Sequence, residues 1–87
     1  MSDAWTWEYD PDEESVAHGL PAPVLAEVER LGDQLAILGR DAATAGRGPL
    51  HGGGLRTLDL FGGRGFLNFI VADQLQLVLV VRVTWLD

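Results

Sequence analysis

A long apolar segment over residues 75–86 constrains the fold of this chain more than any other feature. Its sequence, LQLVLVVRVTWL, is dominated by β-branched and large apolar residues, which favour a β-strand. Gln76 and Arg82 interrupt the run, so it falls well short of the roughly 20 apolar residues that a membrane-spanning helix needs. We therefore expect one long strand that organises a small domain, with no membrane partner.

Regular alternation along this strand divides its side chains between two faces. One face is apolar throughout and consists of Leu75, Leu77, Leu79, Val81, Val83 and Trp85. The other face is mixed and consists of Gln76, Val78, Val80, Arg82 and Thr84. We expect the apolar face to form the core. The half-apolar opposite face indicates that the strand is central in its sheet or lies under an interface.

Two further strands are predicted directly before this one. Residues 55–61 and 66–72 are rich in apolar and aromatic side chains, and the sequence GGRG at residues 62–65 separates them as a turn. Asp73 and Gln74 leave room for only a tight turn before the last strand. The three strands are therefore expected to form an antiparallel meander.

The N-terminal half predicts one strand and two helices. Residues 4–9 alternate aromatic and polar side chains, as a strand does. The sequence DPDEE then predicts a helix with Asp10 as its N-cap and Pro11 in its first turn, ending near Gly19. A second helix is predicted over residues 23–38 because apolar side chains form one stripe at helical spacing. The stripe consists of Val24, Val28, Leu31, Leu35 and Leu38.

The element order gives the fold class. A short helical turn over residues 41–45 and a mobile loop over residues 46–54 are predicted between the second helix and the meander. The predicted order of elements is therefore β-α-α-β-β-β. This order predicts an α+β fold in which an antiparallel sheet carries the two N-terminal helices packed on one face. A chain of 87 residues has room for one core, so we expect a single domain over residues 1–87.

Composition excludes several classes of site. The chain has no cysteine, and His18 and His51 lie far apart without a carboxylate at ligand spacing, so no metal site is expected. The glycine-rich segments match no nucleotide-binding motif and are more typical of turns, so no cofactor is expected. Neither serine has the context of a catalytic nucleophile. The start of the sequence has no basic, apolar signal peptide, which indicates a cytoplasmic protein.

The charge of the chain is unevenly distributed. The net charge is −7, and ten of the thirteen acidic residues lie within residues 1–43. Tight nonspecific binding to nucleic acid needs several cations on one face to neutralise phosphates, so this charge argues against it. The charge leaves open a local cluster of arginines in the C-terminal half.

Three arginines are the strongest candidates for a functional site. Arg56 begins the first strand of the predicted meander, Arg64 lies at its first turn, and Arg82 lies near the end of the last strand. On one side of an antiparallel sheet, converging guanidinium groups would suit a phosphodiester or a carboxylate, because each offers a planar pair of donors. The alternative is that they are surface charges paired with carboxylates. The candidate carboxylates are Asp59, Asp73 and Glu8.

With these segments in place, the whole chain resembles the RelE/ParE superfamily of bacterial toxins from type II toxin–antitoxin systems. Three segments carry the resemblance. WEYDPD at residues 7–12 is similar to the opening strand that runs into an acidic helix start. GGLRTL at residues 53–58 is similar to the Leu-Arg entry to the sheet, and RGFLNFIV at residues 64–71 is similar to the strand that follows a Tyr-Arg pattern.

The resemblance implies a function and a set of residues. Ribosome-dependent members cleave mRNA with basic residues on the sheet, whereas ParE-like members target DNA gyrase. Carried over, Arg64 matches the arginine of the Tyr-Arg pattern, Arg56 matches the Leu-Arg arginine, and Arg82 falls near a basic position of the last strand. Nuclease members carry a proton-transferring pair near the C-terminus, where this chain has Thr84 and Trp85. Neither side chain exchanges protons readily near neutral pH.

Two hypotheses follow from the resemblance. The first is a RelE/ParE-like toxin or toxin-derived protein that binds an antitoxin and acts on translation or RNA through Arg56, Arg64 and Arg82. The second is a catalytically inactive relative that acts as a protein-interaction or self-assembly module. A homodimer is one such assembly. Its motivation is an apolar outer face formed by Val78 and Val80 on the last strand.

Overall fold

The computed structural model describes residues 4–48 and 54–86, and there it contains four strands and two α-helices. In chain order they are β1 (Thr6–Tyr9), α1 (Glu13–Ala17), α2 (Ala22–Leu38), β2 (Arg56–Leu60), β3 (Gly65–Ala72) and β4 (Leu77–Trp85). Short 3-10 helices, Gly39–Thr44 and Asp73–Leu75, follow α2 and β3. The α+β class and the order of strands and helices are as predicted. Residues 49–53 of the predicted loop lie outside the described residues.

The four strands form one mixed sheet in the order β1-β4-β3-β2. The predicted meander is confirmed, because β2, β3 and β4 pair antiparallel. The prediction of an entirely antiparallel sheet is wrong, because β1 pairs parallel with β4, with Thr6 opposite Leu77 and Tyr9 opposite Val80. The physical reason is the helical connection, which carries the chain back across the sheet so that β1 and β2 begin at the same end.

A β-bulge in β4 decides which of its side chains are buried. Asn68 lies opposite Arg82 and Phe69 lies opposite Val80, so Val81 is an extra residue without a partner on β3. One extra residue reverses the phase of alternation. Val78 and Val80 are therefore fully buried before the bulge, and Val83 and Trp85 face the core after it. The predicted division of β4 into an apolar core face and a mixed outer face is therefore wrong before the bulge and correct after it, from Arg82 to Trp85.

The helices cover the core face of the sheet. Val24, Val28 and Leu35 of α2 are buried with Phe69 and other side chains of the sheet in one cluster. Leu31 packs against this cluster, so the predicted stripe is confirmed for its first four members. Leu38 is 47% exposed because the α-helix ends there and the chain turns into the following 3-10 helix.

Glycine at position 32 allows a close approach between α2 and β1. A Cβ atom added to Gly32 would overlap the indole ring of Trp7. The indole Nε1 donates a hydrogen bond of 2.8 Å to Oδ1 of Asp33, which holds the ring over the glycine. An internal glycine normally lowers the stability of a helix. At position 32 the absence of a side chain leaves room for the Trp7 ring.

Two local predictions need correction. The N-cap of α1 is Asp12 and not Asp10, because the Asp12 carboxylate accepts a hydrogen bond of 2.8 Å from the backbone N–H of Ser15. The prediction of a mobile loop over residues 46–54 is also wrong at Arg47. The backbone N–H and carbonyl of Arg47 each bond with Thr57 at 2.8 Å, so this residue pairs with the outer edge of β2.

Candidate functional site

Arg56, the first residue of β2, is buried, with 3% of its surface exposed. Its Nε donates to the carbonyl oxygen of Ala45 at 2.7 Å, and its Nη2 donates to the carbonyl oxygen of Gly46 at 3.0 Å. Backbone carbonyls that approach a sheet edge need donors once water is excluded, and a guanidinium supplies several in a fixed geometry. Arg56 therefore stabilises the contact between this segment and β2.

Arg82 lies on the opposite face of the sheet, which we call the outer face. Directly paired residues of antiparallel strands share a face, so Arg82, Asn68 and Thr57 form one row across β4, β3 and β2. Within the row, Nδ2 of Asn68 donates to Oγ1 of Thr57 at 2.8 Å. Arg82 is exposed to solvent at the β4 end of the row.

The three predicted site arginines are not brought together on one face. Arg56 precedes Thr57 on β2 and points to the core, whereas Arg82 points outward with Thr57. Arg64 lies in the β2–β3 turn. Two of the carboxylates considered as partners for these arginines, Asp59 and Asp73, pair with other arginines. The observed pairs are Arg47–Asp59 at 2.8 Å and Arg40–Asp73 at 3.0 Å.

Arg64 lies beside an aromatic cleft at the end of the sheet. Its guanidinium carbon is 5.7 Å from the centroid of the Trp85 ring, which is the distance of a cation–π contact. Phe61 meets the same ring edge to face, with centroids 5.6 Å apart. The backbone N–H of Leu86 donates to the carbonyl of Arg64 at 3.0 Å, so the end of β4 and the β2–β3 turn are held together.

The outer face also carries an apolar surface that sequence reasoning missed. We define the outer patch as Ile70, Ala72, Leu77 and Leu79. Ile70 lies opposite Leu79 and Ala72 lies opposite Leu77 on β3 and β4, and all four side chains are half-buried. None of them belongs to the core cluster or packs against it. The bulge produces this arrangement, since it turns Val78 and Val80 inward and leaves the leucines outside.

Charged and polar residues border the outer patch. Glu8 of β1 lies opposite Leu79 on one side and is exposed. The row of Arg82, Asn68 and Thr57 closes the patch toward the end of β4. An apolar centre with a polar border is the composition of a protein-binding surface.

Three described side chains that could replace a proton-transferring pair are unsuited to that role near neutral pH. Thr84 lies opposite Phe66 on the outer face, and Trp85 lies at the cleft. Tyr9 is on β1, and burial, together with the nearby charges of Glu29 and Glu13, raises its pKa to about 12. A phenol that keeps its proton to such a pH does not serve as a base at neutral pH.

The described residues contain no cluster of three or more side chains suited to hold a metal ion. No helix in the described part of the chain is long and apolar enough to cross a membrane. Comparisons with protein-family models, with curated proteins and with solved structures find no match. The resemblance to the RelE/ParE superfamily therefore stays a prediction that rests on the sequence segments and the order of the elements.

Proposed function

We propose that this chain is a cytoplasmic protein-interaction domain of RelE/ParE-like kind, a toxin or toxin-derived protein, that binds an antitoxin segment across its outer face. The observation that supports the proposal best is the outer patch. Four apolar side chains on two neighbouring strands stand outside the core, where they would gain stability from burial under a partner. The polar border would fix the orientation of that partner.

Charge indicates what kind of segment fits. The net charge of the chain is −7, so a second copy would approach against electrostatic repulsion, whereas a basic segment would be attracted. Glu8 at the border of the patch is a ready partner for a lysine or arginine. We therefore propose a basic amphipathic helix or strand, with its apolar side chains on the patch. Self-association through the same face is the competing possibility.

The same geometry gives little support to RNA cleavage. Arg56 uses its donors on backbone carbonyls inside the protein, and Arg82 lies on the other face of the sheet. A catalytic arginine must reach the scissile phosphate together with a group that moves a proton. For these reasons the proposal concerns binding, and it assigns no catalytic step to Arg56, Arg64 or Arg82.

The test is binding to the product of the adjacent gene. The two proteins are co-expressed, purified through a tag on one of them, and titrated by calorimetry. Leu79→Gln removes an apolar side chain from the patch, and its matched control is Ile37→Gln on α2, where the isoleucine is 83% exposed. We expect Leu79→Gln to weaken binding about tenfold or more, as for an interface hot spot, and Ile37→Gln to leave binding unchanged.

Three results would contradict the proposal. One is the absence of binding to the adjacent gene product, together with normal growth when the chain is expressed alone. Another is equal binding by the Leu79→Gln and Ile37→Gln variants, which would remove the patch as the interface. The third is a concentration-dependent dimer in light scattering that Leu79→Gln abolishes, since that result would assign the patch to self-association.

A further inference from the structure

Arg82 differs from the other arginines of the chain because its guanidinium has no partner. The chain has six arginines, and all of them lie within the described residues. Three of them bind carboxylates, in the pairs Arg30–Glu27, Arg40–Asp73 and Arg47–Asp59. Arg56 binds backbone carbonyls, and Arg64 lies over the Trp85 ring. Within residues 4–48 and 54–86, the Arg82 guanidinium makes no hydrogen bond, ion pair or ring contact.

A shortage of carboxylates does not explain the unpaired guanidinium. The chain holds thirteen acidic residues against six arginines. Asn68, the direct neighbour of Arg82 on β3, bonds instead with Thr57 on its other side. Glu8 shares the outer face with Arg82, yet no ion pair in the described part of the chain includes either residue. One negative and one positive side chain of the outer face are therefore left for groups outside the chain.

Glu8 and Arg82 lie at different borders of the outer patch. Glu8 is opposite Leu79, on the strand beside it. Arg82 is opposite Asn68, which lies two residues along β3 from the residue that pairs with Leu79. A rise of about 3.4 Å per residue and a spacing of about 4.8 Å between strands place the Cα atoms of Glu8 and Arg82 roughly 8 Å apart. A segment that covers the patch therefore meets a negative charge at one border and a positive charge at the other.

We propose that the segment that binds the outer patch carries a carboxylate that pairs with Arg82 and a basic residue that pairs with Glu8. This pairing rests on the proposed function, since it concerns the same partner. Four residues of a helix or two residues of a strand span about 6–7 Å, so both charges fit on one face of a short segment. The guanidinium offers two parallel donors to the two oxygens of the carboxylate. Reversal of the segment would bring like charges together, so it binds in one direction.

Net charge and the specific pair predict opposite effects of removing Arg82. Arg82→Gln changes the net charge by one unit, from −7 to −8, so a basic segment held by overall attraction alone should bind the variant at least as tightly. A carboxylate paired with Arg82 instead loses its donors, and binding should weaken about fivefold. Arg30→Gln is the matched control, because it makes the same change in net charge at an exposed arginine of α2. This control should not weaken binding.

The probe is the product of the adjacent gene, titrated by calorimetry at low and at high salt. The effect of Arg82→Gln should shrink at high salt, as expected for a partly exposed ion pair. Arg82→Lys keeps the charge without the planar pair of donors and should retain part of the affinity. Arg82→Glu should weaken binding more than Arg82→Gln does. In the Arg82→Glu background each acidic residue of the gene product is replaced in turn by lysine, and one replacement should restore binding.

Three results overturn the charge pairing. The first is unchanged or tighter binding by Arg82→Gln, and the second is an equal loss of binding in Arg30→Gln. The third is that no lysine replacement restores binding to Arg82→Glu, since Arg82 would then face a group other than a carboxylate of this partner.

Failure of the charge pairing is distinguishable from failure of the proposed function. If Leu79→Gln weakens binding while Arg82→Gln does not, the outer patch is still the interface and only the charge pairing is wrong. If the gene product does not bind, or binds the Leu79→Gln variant as it binds the unaltered chain, the proposed function is wrong and the charge pairing falls with it.

Discussion

Replacing Gly32 with alanine sets two well-defined effects against each other. Within a helix, alanine is more favourable than glycine by about 1 kcal/mol, so propensity alone predicts stabilisation. At this position the added methyl group would overlap the Trp7 indole, which a hydrogen bond to Asp33 holds in place. Overpacking of this kind costs about 1–3 kcal/mol. We therefore expect Gly32→Ala to lower the free energy of unfolding by about 1 kcal/mol.

A double-mutant cycle makes the prediction sharp. Trp7→Val removes the indole but keeps a side chain that favours a strand. In that background the methyl group meets open space, and Gly32→Ala should raise the free energy of unfolding by about 1 kcal/mol. The sign of the effect should thus reverse, with a coupling energy of about 2 kcal/mol between positions 7 and 32.

Urea denaturation followed by far-ultraviolet circular dichroism measures all four chains without relying on tryptophan fluorescence. Ala26→Gly, at an exposed position of the same helix, calibrates the propensity term and should cost about 1 kcal/mol. Equal slopes of free energy against urea are required for the comparison. If Gly32→Ala stabilises the unaltered chain as much as the Trp7→Val chain, the indole moves aside freely and the proposed role of Gly32 is wrong.

Two further predictions concern buried polar groups. Arg56→Gln should lower the free energy of unfolding by about 2 kcal/mol in urea titrations, because the partly buried carbonyls of Ala45 and Gly46 lose their donors. An effect below 0.5 kcal/mol, roughly that of a surface substitution, would show that water replaces the guanidinium. Tyr9 is the only tyrosine, and its hydroxyl is buried without a hydrogen-bond partner among the described residues. Its pKa is raised from 10.0 to about 12, so absorbance near 295 nm should show phenolate two pH units later in the folded than in the unfolded chain. The associated stability is present below pH 10 and is lost as the pH rises to 12; coincident titrations would contradict burial of the hydroxyl.

The local pattern of residue types was sufficient to predict where most strands and helices lie along the chain. Turn-forming glycines and alternating side chains placed β3 over residues 66–72, and the structure has it at Gly65–Ala72. The apolar stripe likewise located α2 to within a residue at each end. These features depend on backbone geometry within a few residues, which the sequence records directly.

The faces of β4 could not be predicted in the same way. A bulge depends on how β4 pairs with β3, and a valine at position 81 does not indicate one. The error reached the functional hypothesis, since Val78 and Val80 were expected to form an interaction surface and are buried. The apolar surface on the outer face is the outer patch instead, and its composition follows from the register of β4 on β3.

Arg56 illustrates why the candidate site was harder to predict than the fold. An arginine at the start of a strand is usually exposed, and the sequence gives no sign that two backbone carbonyls will stand next to it. Those carbonyls come from a segment that meets β2 through tertiary contacts. Residue type alone therefore suggested a common site for three arginines, whereas the fold buries Arg56 and places Arg64 and Arg82 apart from it.

The parallel pairing of β1 with β4 has a consequence for synthesis of the protein. Thr6 leaves the ribosome well before its partner Leu77, which lies 71 positions later in the chain. At about 5–20 residues per second, the aromatic side chains of β1 wait several seconds for their neighbouring strand. During that interval α2 is the surface available to Trp7, through Gly32. In the nascent chain, β1 can thus pack against α2 before β4 is available to pair with it.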